Sequence, residues 1–316
     1  MLSPRIIIIT QNRTRIVDPL VSKHNIIGII DSEPKSSTEG GNNTNKLFRF
    51  LSKFYSIFKK NNSFEKYSIS KGVDYLYLTK NNFRELNKWI EIRKPDLIIV
   101  CGMSFLLKKE IFDIPKLGTI NLHPSYLPKY RGPNPWFWMY YNMEKKGGVT
   151  LHYINEGEDT GDIIYQEEYE IKKGMKSPEM QDIAIKDIGV DLINRAINNI
   201  DNLPRIKQNI DSPTERARRI RESEHKDIIN WDEWGVEKIW HILGGTELWL
   251  NAIEQPDGKY KGQRWEILEY RKLDTSSYKI SNVYKEKGKI FIVCNDGVIF
   301  LNVKFKIKSY IYNLYN

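Results

Sequence analysis

The chain is poor in cysteine and has no long apolar run. Only Cys101 and Cys294 occur in 316 residues, which excludes a disulfide framework and fits a reducing compartment, so we expect a cytoplasmic protein. An apolar stretch of about eighteen residues is absent, and no membrane span is expected. The short run Ile6–Ile9 is more typical of a first strand than of a signal peptide. Because we find no spacing typical of metal ligands either, we expect no metal.

Blocks of like charge are also missing. The formal net charge is +9, from 49 Lys and Arg against 40 Asp and Glu. Because the basic residues are dispersed, they favour an ordinary solvated surface over a nucleic-acid interface. A nucleic-acid partner stays open as the alternative, and a small phosphorylated substrate would also benefit from this charge.

The first two thirds of the chain alternate apolar runs with helical patterns. Helices are predicted at 47–58, 83–90 and 177–204. Strands are predicted at 5–10, 25–30, 74–78, 96–101, 118–121, 149–154 and 163–171. This alternation is typical of an α/β fold, and we expect a Rossmann-like, mostly parallel sheet.

The pattern changes after residue 205. Residues 205–224 are polar and basic, which is typical of a linker. Further on, Asn295-Asp296-Gly297 separates two apolar runs and predicts a β-hairpin. We therefore expect a catalytic domain over 1–205 and a smaller, mostly β accessory domain over 206–316.

Three polar residues at the ends of predicted strands are candidates for catalysis. Asn121 and His123 are two residues apart and therefore face the same side of a strand, at the carboxyl end where open α/β sheets bind ligands. The amide can donate to a developing oxyanion, and the imidazole can take a proton from an amine. Asp159, in a later turn, would fix the imidazole and favour its charged form. This set predicts transfer of a one-carbon acyl group to nitrogen. His152 is expected to be a hydrogen-bonded residue of the core or a residue that supports the catalytic ones.

The motifs around these residues resemble the formyltransferases that use 10-formyltetrahydrofolate. They are Asn121-Leu-His123-Pro-Ser-Tyr-Leu-Pro128, Arg131-Gly132, Gly148-Val-Thr-Leu-His152 and Asp159-Thr-Gly161. The resemblance implies that Asn121, His123 and Asp159 are catalytic and that 10-formyltetrahydrofolate is the one-carbon donor. It also implies that the folate pterin lies against two loops, whose candidate residues are Gly102, Ser104, Phe105, Leu106, Leu107, Asn155, Glu156 and Gly157.

The acceptor is less well defined by the resemblance. The loop 32–46 contains only Lys35 and Lys46 as basic residues, which is a poor clamp for the phosphates of tRNA. We therefore favour a nucleotide-linked amino deoxysugar, in carbohydrate biosynthesis. Methionyl-tRNA is the alternative acceptor, and a non-catalytic folate-binding relative is a further alternative. Candidate acceptor contacts are Asn12, Arg13, Lys129, Arg131 and Trp136.

The resemblance also suggests a homodimer. Many of the amino-sugar enzymes dimerise through the C-terminal region, and the apolar strands of the hairpin 289–308 are the candidate interface here.

Overall fold

A computed structural model of the chain describes residues 3–33 and 64–305. The helix predicted at 47–58, most of the loop 32–46 and the last residues of the hairpin 289–308 lie outside these ranges. The chain divides into two compact units, and each unit consists of three segments that alternate along the sequence with those of the other. The first comprises Met1–Gly132, Gly147–Tyr169 and Gln181–Arg216, and the second comprises Pro133–Lys146, Glu170–Met180 and Ala217–Asn316. The boundary expected at residue 205 stays a prediction.

A seven-stranded sheet forms the centre of the first unit. In chain order its strands are β1 Ile6–Thr10, β2 Ile26–Ser32, β3 Asp74–Leu78, β4 Leu97–Cys101, β5 Thr119–His123, β6 Lys146–Tyr153 and β7 Ile163–Glu170. Their order in the sheet is β3-β2-β1-β4-β5-β6-β7. The first five pair in parallel, and β6 pairs antiparallel to β5. The predicted Rossmann-like, mostly parallel sheet is confirmed.

Both faces of the central strands are covered. Every residue of β1 and β4 is buried, as expected for parallel strands between helical layers. On one face, Ile7, Ile9 and Ile98 pack in a cluster with Leu86 and Ile90 of the helix predicted at 83–90. This burial keeps the central strands rigid, so that the loops at their carboxyl ends start from fixed positions.

The described residues contain eight α-helices. They are α1 Asp18–Val21, α2 Phe64–Ser70, α3 Leu86–Arg93, α4 Lys109–Phe112, α5 Pro135–Tyr141, α6 Ser177–Gln181, α7 Val190–Asn198 and α8 Val236–Thr246. The helical segment predicted at 177–204 begins with α6 and ends with α7, and a π-helical stretch, Asp182–Gly189, lies between them. At Gly189 an added Cβ would lie 2.5 Å from a Leu122 side-chain carbon, so this glycine lets the segment approach β5 closely.

An antiparallel sheet of four strands lies in the second unit. Its strands are β8 Arg264–Lys272, β9 Val283–Glu286, β10 Lys289–Cys294 and β11 Gly297–Lys304, in the order β8-β11-β10-β9. Cys294 pairs with Gly297 across the tight turn, which confirms the predicted hairpin. One face of this sheet packs against α8 in a cluster that includes Ile239, Ile242 and Ile292. The expected smaller, mostly β region near the C-terminus is therefore present.

Candidate active site

The three predicted catalytic residues meet at the carboxyl end of β5. Asn121 and His123 lie in β5, opposite His152 and Thr150 of β6. Asp159 lies in the loop between β6 and β7, with a φ of 53° that is uncommon for a residue other than glycine. Asn121 Nδ2 lies 3.3 Å from Asp159 Oδ1, and His123 Nδ1 lies 3.5 Å from Asp159 Oδ2.

The carboxylate of Asp159 is the centre of this group. Its Oδ2 also accepts a hydrogen bond from the Gly132 main-chain N–H at 2.9 Å, and its Oδ1 lies 3.7 Å from His152 Nε2. Burial opposes ionisation, but the nearby imidazole of His123, together with the His152 and Gly132 contacts, holds the pKa of Asp159 well below its usual range. The carboxylate is therefore ionised at neutral pH.

His123 is buried and both of its ring nitrogens have neighbours. Because the Tyr130 carbonyl can only accept, Nε2 carries a proton and donates to it at 3.0 Å. Burial lowers the pKa of His123, and the Asp159 carboxylate partly offsets that shift. A second proton would occupy Nδ1, next to the Asp159 carboxylate. The pair can thus receive one proton in a defined place.

His152 fixes the orientation of Asn121. Its Nδ1–H donates to the Tyr153 carbonyl at 2.8 Å, so its Nε2 is left to accept from Asn121 Nδ2 at 3.1 Å. Its burial and its hydrogen bonds match the expectation of a bonded core residue. Both N–H bonds of the Asn121 amide are thus directed at His152 and Asp159. For the amide to donate to an oxyanion, its longer contact, the one with Asp159, has to be replaced by a hydrogen bond to the oxyanion.

The two loops proposed for folate lie next to each other. Met103, Phe105 and Leu107, which follow β4, share an apolar cluster with Ile154, which follows β6. Leu106 is 71% exposed beside this cluster. The remaining loop residues shape the main chain. Gly102 adopts a φ of 72°, Ser104 accepts from Gln11, Asn155 accepts from the Gly157 N–H, and Glu156 is exposed.

The predicted acceptor contacts are spread over several places. Asn12 and Arg13 follow β1, and Arg13 lies over the Tyr67 ring. Lys129 is exposed near the site, whereas Trp136 is half-buried in α5 of the second unit. Arg131 precedes Gly132 but its guanidinium is engaged. It donates to Gln208 Oε1 and to two main-chain carbonyls of residues 209 and 210.

One group of site residues was missed from the sequence. The segment 206–216, which the sequence predicts to be part of a linker, contacts the loops that carry the candidate catalytic residues. Gln208 Nε2 donates to the carbonyls of Asp159 at 3.0 Å and Gly161 at 2.7 Å. No local pattern could have shown this, because the partners are 49 and 47 residues apart.

Sequence comparisons agree with the geometry. The formyl transferase family matches residues 48–197. A methionyl-tRNA formyltransferase from Clostridioides difficile is 37% identical over 239 residues, which are 73% of this chain and 71% of the relative. The chain belongs to the formyl transferase family.

This formyl transferase family member is also similar to a second sequence relative and to a solved structure. The methionyl-tRNA formyltransferase of Clostridium beijerinckii is 36% identical over 68% of this chain, and the match spans 65% of that relative's own length. Among solved structures, WlaRD, a sugar 3N-formyl transferase crystallised in the presence of dTDP and 5-N-formyl-THF, aligns with a TM-score of 0.58 and 15% identity. That alignment covers 97% of this chain and 100% of WlaRD, and shows a shared fold.

Over residues 3–33 and 64–305, no helix has the length and apolarity needed to cross a membrane. In the same ranges, no group of three or more His, Cys, Asp and Glu side chains is arranged to hold a metal ion.

Proposed function

We propose that this protein transfers a formyl group from 10-formyltetrahydrofolate to a primary amine. The observation that carries the proposal is the arrangement of Asn121, His123 and Asp159 around one ionised, buried carboxylate at the carboxyl end of β5. A neutral imidazole next to an ionised carboxylate can receive a proton from an amine. The neighbouring amide can stabilise an oxyanion.

In the proposed reaction the amine nitrogen attacks the formyl carbon and forms a C–N bond. The Asn121 amide exchanges its 3.3 Å contact with Asp159 for the oxyanion. His123 takes the proton that the amine loses, on Nδ1, where Asp159 stabilises the resulting charge. The C–N bond to the folate then breaks, and the proton passes to the departing folate nitrogen, directly or through water. Much of the rate comes from holding both substrates in register.

The two loops after β4 and β6 are suited to hold the flat donor. The exposed Leu106 side chain next to the Phe105 cluster offers an apolar wall. Main-chain groups around Gly102 and Asn155 can hydrogen-bond a heterocycle edge.

The residues of this chain favour a nucleotide-linked amino deoxysugar as the acceptor. This choice rests on the dispersed basic residues and on the few cations in the loop 32–46, most of which lies outside the described residues. A nucleotide diphosphate requires only a few positive contacts, whereas a tRNA acceptor arm requires many.

Methionyl-tRNA is the second candidate, and the curated relatives favour it more strongly. The relatives at 36% and 37% identity are both methionyl-tRNA formyltransferases. The likeness to WlaRD, at 15% identity, concerns the fold and does not decide the acceptor. The two candidates differ in size and charge, so one assay separates them.

The test is a turnover assay with 10-formyltetrahydrofolate and a panel of amines. The panel contains thymidine-, uridine- and guanosine-diphosphate amino sugars and methionyl-tRNA, and products are detected by mass as a gain of one formyl group. Formylation of a nucleotide sugar with methionyl-tRNA unchanged supports the first acceptor. Formylation of methionyl-tRNA alone supports the second. Absence of formyl transfer to every amine, with folate bound, would support a non-catalytic relative.

A further inference from the structure

Residues 206–216, called the strap below, cross both loops that hold the catalytic group. The strap begins at an antiparallel bridge between Ile206 and Ile163 at the start of β7. From there Ser212 Oγ donates to the Pro128 carbonyl at 2.7 Å, and Arg216 Nη2 pairs with Glu158 Oε1 at 2.8 Å. The strap therefore bonds to the loop after β5 and to the loop before β7.

Gln208 makes the most direct of these contacts with the catalytic loop. Its amide donates both N–H bonds to this loop, one to the Asp159 carbonyl and one to the Gly161 carbonyl. Its Oε1 accepts from two nitrogens of Arg131, at 2.7 and 3.2 Å. Arg131 in turn precedes Gly132, whose N–H donates to the Asp159 carboxylate. The Gln208 side chain thus contacts the Asp159 loop and also Arg131, the residue before the glycine that donates to the Asp159 carboxylate.

The strap bonds to two residues that have a strained main-chain conformation. Asp159 has a φ of 53° and Tyr130 a φ of 57°, and both lie in the left-handed region that costs about 1 kcal/mol or more for residues other than glycine. The strap contacts both residues, because Thr214 Oγ1 accepts from the Tyr130 N–H at 2.7 Å. The carbonyl of that same Tyr130 accepts from His123. The strap therefore hydrogen-bonds to both strained residues, Asp159 itself and Tyr130, the partner of the His123 imidazole.

We propose that Gln208 is a positioning residue that fixes Asp159 against His123 and Asn121. This inference rests on the proposed function for its kinetic effect but not for its structural effect. Since Gln208 does not contact the His123 or Asn121 side chains in the described hydrogen bonds, it acts through the Asp159 loop. Loss of its two donor bonds should let the carboxylate move away from the Gly132 N–H.

Two variants of Gln208 separate the effect of its donated hydrogen bonds from the effect of its packing. Gln208→Glu keeps the size of the side chain and the acceptor for Arg131, but directs a carboxylate at two carbonyl oxygens. Gln208→Ala removes all of its contacts. Lys207→Ala is the matched control, because Lys207 is the neighbour of Gln208 in the strap and its side chain, 86% exposed, pairs with Asp162.

The kinetic arm measures kcat and KM with the amine that the wild type formylates. Both Gln208 variants should lower kcat by about 10- to 100-fold with KM values for donor and acceptor within about twofold, and Lys207→Ala should match the wild type. Adding either change to Asp159→Asn should lower kcat by less than about twofold more. Additive losses, or a rise in KM alone, would overturn the inference.

The structural arm needs no substrate. The Gly132 amide of ¹⁵N-glycine-labelled protein is followed by hydrogen exchange. Its protection should fall about tenfold or more in both Gln208 variants and stay unchanged in Lys207→Ala. Wild-type protection in both Gln208 variants would overturn the inference whatever the activity. If the wild type transfers no formyl group but the protection falls as expected, the proposed function fails and the positioning stands.

Discussion

At the scale of single residues, His123 is the group on which the proposed chemistry depends most. In the proposed reaction this side chain receives the amine proton, and its Nδ1 faces the Asp159 carboxylate. His123→Asn should lower kcat by about 10²–10⁴-fold because it removes this base, while affinity for the folate donor stays close to that of the wild type. Steady-state kinetics and equilibrium folate binding measure the two effects separately.

A matched histidine provides the control for that substitution. His24 bonds to Asn194 and takes no part in the catalytic group, so His24→Asn should retain turnover. Near-normal turnover in His123→Asn would remove the histidine from the mechanism. Equal losses in both variants would point to general destabilisation instead.

The protonation of His123 predicts a pH dependence. Burial lowers its folded pKa, so the imidazole stays neutral to below its ordinary value of about 6.5 and becomes charged as the pH falls further. Turnover that needs the neutral ring should be lost through a midpoint below about pH 6.5. Among the neighbouring side chains, Asp159 raises this pKa most, Glu158 also raises it, and His152 lowers it.

Removal of the carboxylate should displace that midpoint. In Asp159→Asn the largest upward influence on the pKa of His123 is gone, so the acid limb of the kcat/KM profile should move to lower pH, in addition to a loss of rate. The same amine is used for both proteins, so titration of the substrate cancels in the comparison. An unchanged or higher midpoint would contradict the assigned coupling.

At the scale of elements, the close approach of β6 to the loop after β5 depends on Gly148. A Cβ there would lie 2.7 Å from the main-chain nitrogen of Tyr126 and 2.8 Å from its Cα, and neither atom can give way without a backbone shift. Gly148→Ala should destabilise the protein by about 1–3 kcal/mol, as overpacking does. Denaturant unfolding measures the change.

The control for Gly148→Ala is a glycine with room around it. At Gly244 in α8 the nearest atoms to an added Cβ are 3.9 Å away, and alanine is the better helix former, so Gly244→Ala should be neutral or stabilising by up to about 1 kcal/mol. Equal destabilisation by both substitutions would argue against the close contact at Tyr126.

The elements also show what the sequence could and could not predict. The hairpin around Asn295–Gly297 follows from local turn chemistry, and the strands β1 and β4 follow from apolar runs, so these were predictable. The position of Asn121 and His123 on β5 followed from the two-residue period of a strand. The strap was not predictable, because Gln208 has partners far away in the chain. The same long-range contact engages Arg131, which was expected to contact the acceptor.

At the scale of the whole molecule, the net charge of +9 is spread over the sequence, and this predicts how turnover responds to salt. A nucleotide sugar carries few phosphates, so its KM should rise by less than about tenfold between 50 and 200 mM salt. A tRNA held by 6–10 phosphate contacts would lose about 10³–10⁵-fold in affinity over the same range. Salt titration of kcat/KM with the amine that is formylated measures this slope, and titration with a neutral osmolyte at matched viscosity is the control. A steep slope would show that the dispersed cations act together on a long anionic acceptor, and would contradict the expectation for a nucleotide sugar.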